Sequence, residues 1–239
     1  MPEVSAETSP GATEVDEGTD TRIETGIESG IDTDESVDRR HTDQGLERKQ
    51  QLLRTAEELF AAAGYEQTRI ADICSAAGVA KGLFYWYFPT KESLFAELVR
   101  SMRHELRRAQ GAAMDPAADA LTRIRQGSVA SVRFMAEHRS YFGLLDVERR
   151  DERLSELLRE GSDVYAADVI RLVVEAQDAG LVDDGDPRWY AVGVMGAVSS
   201  FSNALRNGAV EADVDELATA VGQWVVGGLT THLWRRDDG

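Results

Sequence analysis

A cluster of basic and aromatic side chains between residues 68 and 91 could bind a polyanion. Lys81 and Lys91 carry positive charge, and Tyr85 and Tyr87 add phenolic hydroxyls. Proteins hold phosphate oxygens with ammonium and hydroxyl groups, and lysine can also donate to O6 and N7 of guanine. We expect binding rather than catalysis, because the chain shows neither a Gly-rich phosphate loop nor a Ser-His-Asp or Cys-His set with plausible support.

Two short apolar segments must position this cluster. Residues 70–77 and 81–87 are separated by Gly78-Val79-Ala80, which leaves room only for a tight turn. Gly78 can adopt the positive φ that a sharp turn requires. The spacing predicts a helix-turn-helix at about residues 69–88, and in this motif the second helix enters the major groove of DNA. The contacts between its helices are assigned to Ile70, Ile73, Ala77, Val79, Leu83 or Phe84, and Phe88.

The side chains that face outward from the motif are the candidates for DNA contact. Gly82 would let the backbone approach DNA closely, and Leu83 offers only apolar contact, so specificity could depend on DNA shape. Trp86 has two interpretations, since it can stack at the groove edge or pack on the neighbouring helix. The predicted DNA-binding residues are Thr68, Arg69, Lys81, Gly82, Leu83, Tyr85, Trp86, Tyr87 and Lys91.

A helix is predicted on each side of the motif. Apolar residues recur at helical spacing from Glu47 until Gly64, which is a C-terminal cap. Thr68 suits the N-cap of the first motif helix. Thr90 can cap a long helix that runs to about residue 110 and connects the motif to the rest of the chain.

The same stretch resembles the DNA-binding domain of the TetR (tetracycline-repressor-like) family of transcriptional regulators. The resemblance covers roughly residues 47–100. Ala80 departs from it, because a hydroxyl residue is usual at this helix cap, and Leu83 replaces a frequent small polar residue. The matching positions are Gly64-Tyr65, Thr68, Ile70-Ala71-Asp72-Ile73, Ala77-Gly78-Val79, Lys81-Gly82, Tyr85, Tyr87-Phe88 and Lys91-Glu92.

The resemblance implies an all-α protein with two functional parts. An N-terminal three-helix helix-turn-helix head would join a C-terminal helical bundle for ligand binding and dimerisation. It also implies that Thr68 meets the DNA backbone and that the helix beginning at Lys91 transmits changes in the bundle to the head. Repression is the usual mode of these regulators.

Composition divides the chain into three regions. Residues 1–45 are rich in Thr, Ser, Gly, Asp and Glu without any helical or strand period, and we interpret them as a disordered acidic tail. The tail could simply aid solubility, or it could compete with phosphates for basic residues of the head. Residues 46–107 form the predicted DNA-binding domain. Residues 108–239 form the predicted effector-binding and dimerisation domain, in which Asp115-Pro116, Asp186-Pro187 and Asp213 are expected to open helices.

Net charge limits how the chain can bind DNA. The formal charge is -17, and residues 1–46 carry 13 acidic and three basic side chains, whereas residues 47–100 carry seven of each. Long-range attraction to DNA should therefore be weak. Affinity would depend on a few close phosphate contacts made by a dimer.

Cysteine content and hydropathy indicate a cytoplasmic protein. The single cysteine, Cys74, cannot form an internal disulfide, and no stretch of about 18 apolar residues is present to span a bilayer. The four His residues and Cys74 lack metal-ligand spacing, so neither a metal nor a cofactor is expected.

The C-terminal helices carry two further predicted sites. Aromatic, Met and polar residues on adjacent helices suggest an effector pocket, although the same residues also suit a packed core. Small apolar residues cover much of the last two helices, which suggests a four-helix homodimer interface as in the resembled family, with a monomer core as the alternative. The predicted pocket residues are Phe134, His138, Tyr141, Phe142, Tyr165, Trp189, Met195 and Phe201. The predicted interface residues are Val194, Val198, Leu217, Val221, Val225 and Leu229.

These observations favour a regulator that binds a palindromic operator as a homodimer and releases it when a small, largely apolar effector binds. Double-stranded DNA, the effector and a second copy of the chain are the expected partners, and no membrane is expected. The alternative is a helical protein-interaction module whose helix-turn-helix no longer functions, and the neutral charge of residues 47–100 favours that alternative.

Overall fold

The computed structural model describes residues 34–148 and 152–231, and it places side chains for residues 44–145 and 165–231. Every regular element within these ranges is a helix, which confirms the predicted all-α fold. The tail prediction for residues 1–33 lies outside the described residues. The helices are α1 (Asp34–Ala63), α2 (Ile70–Ala76), α3 (Lys81–Tyr87), α4 (Lys91–Ala113), α5 (Ala120–Glu137), α6 (Arg139–Glu148), α7 (Glu152–Asp178), α8 (Pro187–Arg206) and α9 (Val214–Thr230).

Helix α1 begins earlier than the sequence pattern indicated. It extends from Asp34 instead of starting near Glu47, so the interpretation of residues 34–45 as part of a structureless tail is wrong. Once a helix exists, each added residue gains a backbone hydrogen bond at little extra cost, so a packed helix can extend into a polar stretch. The apolar periodicity detects only the packed part.

The helix-turn-helix matches its predicted limits. Gly78 adopts a φ of 63°, and the Val79 amide donates to the Cys74 carbonyl oxygen at 2.9 Å, which closes the turn between α2 and α3. The predicted N-cap at Thr68 is wrong, because Arg69 occupies that position and its amide donates to the Asp72 carboxylate. Thr68 is instead buried.

A cluster of aromatic side chains lies in the core of the head, which we define as residues 44–106. The rings of Phe60, Tyr65 and Phe95 lie 5.1–5.9 Å apart and tilt against one another. Phe84 of α3 is fully buried and lies near Phe88. Tilted ring pairs favour one arrangement over others, so this core holds α3 in a defined orientation.

Helix α4 connects the head to the body, which we define as residues 107–231. Its N-terminus is fixed by a capping box in which Thr90 and Ser93 exchange hydrogen bonds. The next helix starts later than predicted. Its N-cap is Asp119, whereas the Asp115 carboxylate accepts from the Ala117 amide in the preceding turn.

The body packs small and branched side chains around α5, which contacts α4, α7, α8 and α9. Gly222 of α9 lies so close to α5 that a Cβ atom there would be 2.8 Å from Val129 and 3.3 Å from the Arg125 carbonyl oxygen. Asp186 and Asp213 cap α8 and α9 as predicted. The body core therefore depends on close helix approach rather than on large rings.

Candidate nucleic-acid interface

Helix α3 presents two different faces. Phe84 is buried in the head, whereas Lys81, Gly82, Tyr85 and Trp86 are exposed. This division arises because one side of α3 packs in the head core through Phe84 while the remaining side faces outward. The exposed face is the one that a major groove would meet.

Trp86 is the most exposed large apolar side chain of the head. It is 75% exposed, and its ring lies 4.6 Å from that of its neighbour Tyr87 in an edge-on arrangement. Tyr85 is 52% exposed and lies edge-on to Phe84. At this exposure the Trp86 ring is not buried against a neighbouring helix, and its predicted contact with the groove edge stays a prediction.

Two side chains of α3, those of Leu83 and Tyr87, are half-buried. The Tyr87 hydroxyl donates to the Gly45 carbonyl oxygen at 2.8 Å and so ties the end of α3 to α1. The bond between Tyr87 and Gly45 had no signal in the sequence, because it joins residues 42 positions apart.

Lys91 binds protein groups in this structure. Its Nζ donates to the carbonyl oxygens of Tyr65 at 2.8 Å and Thr68 at 3.1 Å, and it lies 4.2 Å from the centre of the Tyr65 ring. An ammonium group has three donors, so these contacts occupy most of its capacity. Lys91 therefore secures the connection between α1 and α2.

Thr68 and Arg69 sit at that same connection. The Thr68 hydroxyl donates to the carbonyl oxygens of Gly64 and Leu59, so it faces the protein interior. Arg69 is exposed beside the N-terminus of α2. The predicted DNA-contact residues thus fall into two groups. The outward group is exposed and consists of Arg69, Lys81, Gly82, Tyr85 and Trp86. The inward group bonds to the protein and consists of Thr68, Tyr87 and Lys91, while Leu83 belongs to neither group.

Two polar contacts that join α1 to α2 and α4 were not anticipated from the sequence. The Gln51 amide donates to the Ala77 carbonyl oxygen at 3.0 Å and so holds the end of α2 against α1. Lys49 pairs with Glu97 at 2.5 Å, and the hydrogen bond from Lys49 lowers the pKa of that carboxyl. Lys49 is therefore partly neutralised, and the outward cations of the motif are Arg69 and Lys81.

The predicted effector-pocket residues are distributed over more than one part of the molecule. Phe134, Tyr141 and Phe142 pack with the head core, and His138 stacks on Phe134 at 4.2 Å. Tyr165, Met195 and Phe201 pack in the body core, whereas Trp189 is 60% exposed. Tyr165 also lines a cavity between helices of the body.

That cavity has a volume of about 30 Å³ and lies between α4, α5, α7 and α8. Its walls combine apolar side chains with the polar groups of Gln110, Ser128 and Tyr165. Burial raises the pKa of the Tyr165 phenol, so this residue is neutral at physiological pH. Gln110 and Ser128 were missed in the sequence because isolated polar residues in amphipathic helices resemble ordinary surface positions.

The six predicted interface residues are buried within the chain. All six pack in the body core, which is the arrangement that the monomer-core alternative predicts. They are Val194 and Val198 of α8 and Leu217, Val221, Val225 and Leu229 of α9. A groove of about 210 Å³ lies between the two helices, flanked by the exposed Trp189 and Trp224. Three of the predicted interface residues, Val194, Val225 and Leu229, also line this groove.

Metal-ligand groups and membrane-spanning helices were both searched for in the described ranges. Among the side chains of residues 44–145 and 165–231, His, Cys, Asp and Glu never gather in a group of three or more suited to a metal ion. No helix in the same ranges combines the length and apolar character needed to cross a bilayer.

Comparison with known proteins identifies the head. Residues 52–98 match the family described as bacterial regulatory proteins, tetR family. The chain is 33% identical over 64 residues to the uncharacterized HTH-type transcriptional regulator YdgC of Bacillus subtilis, covering 27% of this chain and 33% of that protein. It is 29% identical over 126 residues to the probable acrEF/envCD operon repressor of Escherichia coli, covering 49% and 56%. The chain thus spans about a third to a half of the length of these curated relatives.

Similarity to solved structures extends beyond the head. A Bacillus subtilis transcriptional regulator, FadR, solved in complex with stearoyl-CoA, superposes with a TM-score of 0.67 at 22% identity, covering 75% of this chain and 98% of that one. Similarity at this level of identity concerns the fold. It supports a helix-turn-helix head joined to a helical C-terminal domain.

Proposed function

We propose that this chain, a transcriptional regulator of the TetR family, represses its target genes by binding a palindromic operator as a homodimer and releases the DNA when an effector binds. The observation that carries the proposal is the outward face of α3, where Lys81, Tyr85 and Trp86 are exposed while Phe84 anchors the helix in the head. Repression is inferred from the Escherichia coli relative, which is named a probable operon repressor.

The outward group accounts for DNA recognition. Lys81 can donate to a phosphate or to the O6 and N7 atoms of guanine, and the Tyr85 hydroxyl can reach a phosphate. Trp86 supplies a large apolar surface for a thymine methyl group or for the groove edge. Arg69 at the N-terminus of α2 adds a phosphate contact, and Gly82 lets the backbone approach the DNA closely.

The inward group contributes by holding the reading surface in place. Lys91 and Thr68 fix the turn before α2, and Tyr87 fixes the end of α3 to α1. Prearranged contacts avoid an ordering cost on binding. Leu83 lies at the margin and offers apolar contact only.

The exposed faces of α8 and α9 are proposed as the dimer interface. Trp189, Val192 and Trp224 are 60%, 70% and 59% exposed, which is unusual for side chains so large and apolar. Gly193 and Gly228 lie between them and would let helices of two copies approach closely. The buried residues of α8 and α9 then support this surface from behind.

A dimer compensates for the weak charge of each head. Two copies of α3 would meet successive major grooves about 34–36 Å apart, so the operator should contain two half-sites one helical turn apart. Each head contributes few phosphate contacts, so affinity should decrease only moderately with salt. The effector would favour a conformation of the dimer whose heads no longer match this spacing.

The effector is proposed to bind inside the body. The Bacillus subtilis neighbour was solved with stearoyl-CoA, which is a ligand with a large apolar part. In this chain the internal cavity is about 30 Å³, enough for one water molecule, so ligand entry requires side chains to move.

Fluorescence anisotropy of labelled DNA from the region flanking the gene tests the proposal. Wild-type protein and the variants Trp86→Ala and Lys81→Met are titrated at two salt concentrations, with unrelated DNA as competitor. Saturable binding to one fragment that both substitutions weaken supports the regulator. If the variants bind as the wild type does and DNA of any sequence competes equally, the interaction-module alternative replaces it.

A further inference from the structure

Negative charge is concentrated immediately before the head. Residues 1–44, which we call the acidic segment, carry 13 acidic and three basic side chains, whereas residues 47–100 carry seven of each. Nine of those 13 acidic residues, but only one of the three basic ones, precede Asp34, where α1 begins. The proposed contacts with DNA make no use of this charge, which opposes binding to a polyanion.

One hydrogen bond fixes where the acidic segment joins the head. The Tyr87 hydroxyl donates to the Gly45 carbonyl oxygen at 2.8 Å, and Tyr87 is the last residue of α3. A Cβ atom at residue 45 would lie 3.5 Å from that hydroxyl oxygen, so α1 and the end of α3 are in contact here. The acidic segment ends at the residue before Gly45. It is therefore attached beside the C-terminal end of α3.

The attachment point lies next to the outward group. Trp86 directly precedes Tyr87, is 75% exposed, and has its ring 4.6 Å from the Tyr87 ring. Asp43 is two residues from Gly45, so the Cα atoms of these two residues are at most about 7 Å apart. The Debye length is about 8–10 Å at physiological salt. Charges at the end of the acidic segment are thus close enough to act on phosphates that meet α3.

The cations of the outward group do not offset this charge. They are Arg69 and Lys81, two in each head, whereas 13 acidic and three basic side chains give the acidic segment a net charge of -10. Two other lysines of the head are engaged by protein groups, since Lys91 donates to backbone carbonyl oxygens and Lys49 pairs with Glu97. Duplex DNA carries about one negative charge per 1.7 Å of its axis, so bringing the acidic segment against it costs free energy.

We propose that the acidic segment lowers the affinity of the head for DNA of any sequence by repelling the phosphates beside α3. This inference rests on the proposed function, because it concerns the strength of the same DNA interface. The repulsion acts on phosphates and not on bases, so it leaves the preference for one sequence unchanged. It decreases as salt rises, because ions screen the charges. DNA is then retained where base contacts add to the phosphate contacts.

The test removes charge from the acidic segment of the full-length chain. Every acidic residue before Asp34 is replaced by its amide, Glu by Gln and Asp by Asn. Labelled DNA from the region flanking the gene is titrated by fluorescence anisotropy at about 50 mM and about 500 mM salt. We expect the ninefold variant to bind about tenfold more tightly than wild type at the lower salt and within about twofold of it at the higher salt, where the Debye length is about 4 Å. The nine positions are Glu3, Glu7, Glu14, Asp16, Glu17, Asp20, Glu24, Glu28 and Asp32.

Two double variants test whether the position of the charge matters. Asp38→Asn combined with Asp43→Asn removes two charges close to Gly45 along the chain. Asp178→Asn combined with Asp184→Asn removes two charges from the body, where both residues are exposed. We expect the first double variant to raise DNA affinity about threefold at the lower salt and the second to leave it unchanged.

The double variant of the body is a matched control because its charges lie far from the head. Glu175, three residues before Asp178, pairs with Arg123 near the start of α5. Phe134, near the other end of α5, packs with the head core. Helix α5 has 18 residues and is therefore about 27 Å long, which exceeds the Debye length at either salt concentration.

Equal affinity of the ninefold variant and the wild type at the lower salt would overturn the proposal. Weaker binding by the ninefold variant would overturn it as well, because the acidic segment would then add attraction. An equal gain from the two double variants would assign the effect to the net charge of the whole chain and not to the acidic segment. Circular dichroism and light scattering check that every variant keeps the helical content and mass of the wild type.

Competition with unrelated DNA separates this proposal from the proposed function. Tighter binding by the ninefold variant, with no preference for any sequence in either protein, refutes the proposed function and leaves the role of the acidic segment standing. A preference for one sequence in both proteins, with equal affinities at the lower salt, does the opposite.

Discussion

The head and the body of this chain are stabilised by different kinds of packing. The head interlocks large rings, among them Phe60, Phe84 and Phe95, all of which are fully buried. The body core consists mainly of Val, Ala and Leu side chains, with Gly222 pressed against α5. The exposed aromatic groups of the head lie on one short helix, α3, whereas the body exposes two tryptophans on the adjacent long helices α8 and α9.

This difference corresponds to different tasks. The proposed DNA-reading helix, α3, has seven residues and must keep a fixed orientation, which tilted ring pairs and the hydrogen bonds from Lys91 and Tyr87 provide. A body that changes conformation when a ligand binds benefits from smooth helix faces that can shift. The body also contains the small cavity between α4, α5, α7 and α8.

The largest expected effect concerns the ring cluster of the head. Phe95→Ala removes a fully buried ring that lies near Phe60 and Tyr65. We expect a loss of about 3–5 kcal/mol in the free energy of unfolding, together with loss of DNA binding. Urea denaturation followed by circular dichroism measures the stability. Leu46→Ala, at a position that is 55% exposed, is the control and should change it by less than about 0.5 kcal/mol.

The corresponding test of the body uses the close approach of α9 to α5 at Gly222. Gly222→Ala should destabilise the protein by about 1–3 kcal/mol, because the added methyl group would collide with Val129 and the Arg125 backbone. Gly111→Ala, a helical glycine with open space around it, should instead stabilise slightly. Thermal unfolding of both variants checks the contrast. Equal effects of the two substitutions would show that α5 and α9 are not packed as described.

The exposed tryptophans should affect assembly rather than folding. Trp189→Glu combined with Trp224→Glu places two charges on the proposed interface. We expect the dissociation constant of the dimer to rise at least about a hundredfold, with the helical content of each copy unchanged. Light scattering coupled to size exclusion measures the mass. A double variant that remains dimeric would place the interface elsewhere.

Lys81 and Lys91 should respond differently although both were predicted to contact DNA. Lys81→Met should lower the slope of log affinity against log salt by about two, since each copy of the dimer loses one exposed phosphate contact. Lys91→Met should leave that slope unchanged and lower the free energy of unfolding by about 1–2 kcal/mol, because Lys91 holds protein carbonyl oxygens. Fluorescence anisotropy titrations of labelled DNA at several salt concentrations distinguish the two variants. A reduced slope for Lys91→Met would show that its ammonium group also contacts phosphate.

The smallest effect concerns two carboxyls with opposite pKa shifts. The hydrogen bond from Lys49 lowers the pKa of Glu97, so its contribution to stability is present above the unfolded pKa and is lost as pH falls through the folded pKa. Burial raises the pKa of Glu57, so its contribution is present at low pH and is lost as pH rises through the folded pKa. At pH 7, Glu97→Gln should destabilise and Glu57→Gln should stabilise, each by less than about 1 kcal/mol. Denaturation between pH 4 and 7 measures both.

Local sequence signals determined most of the fold. Several signals act over only a few residues, and each led to a correct prediction. They are Gly78 at the turn, Asp186 and Asp213 at helix starts, and the apolar periodicity of α4. The start of α1 could not be found in this way, because its extension depends on propagation from a packed helix rather than on an apolar pattern.

The sites were harder to predict because they depend on distant contacts. The periodicity identified α8 and α9 as unusually apolar but could not say which stripe faces inward, so it selected Val194 and Val198, which are buried. Gln110 and Ser131 are 21 positions apart and meet only through the packing of α4 on α5. Lys91 was chosen for its charge, whereas its partners lie 23 to 26 residues away.

Selection of DNA from a random duplex library by the full-length protein tests the central claim most directly. If the outward face of α3 reads DNA within a homodimer, the enriched sequences should be palindromes with half-sites one helical turn apart, each occupied by two copies of the chain. Trp86→Ala should alter or abolish the enriched sequence while circular dichroism stays unchanged. A folded wild-type protein that enriches no sequence, or a Trp86→Ala variant that selects the same palindrome equally well, would contradict the account.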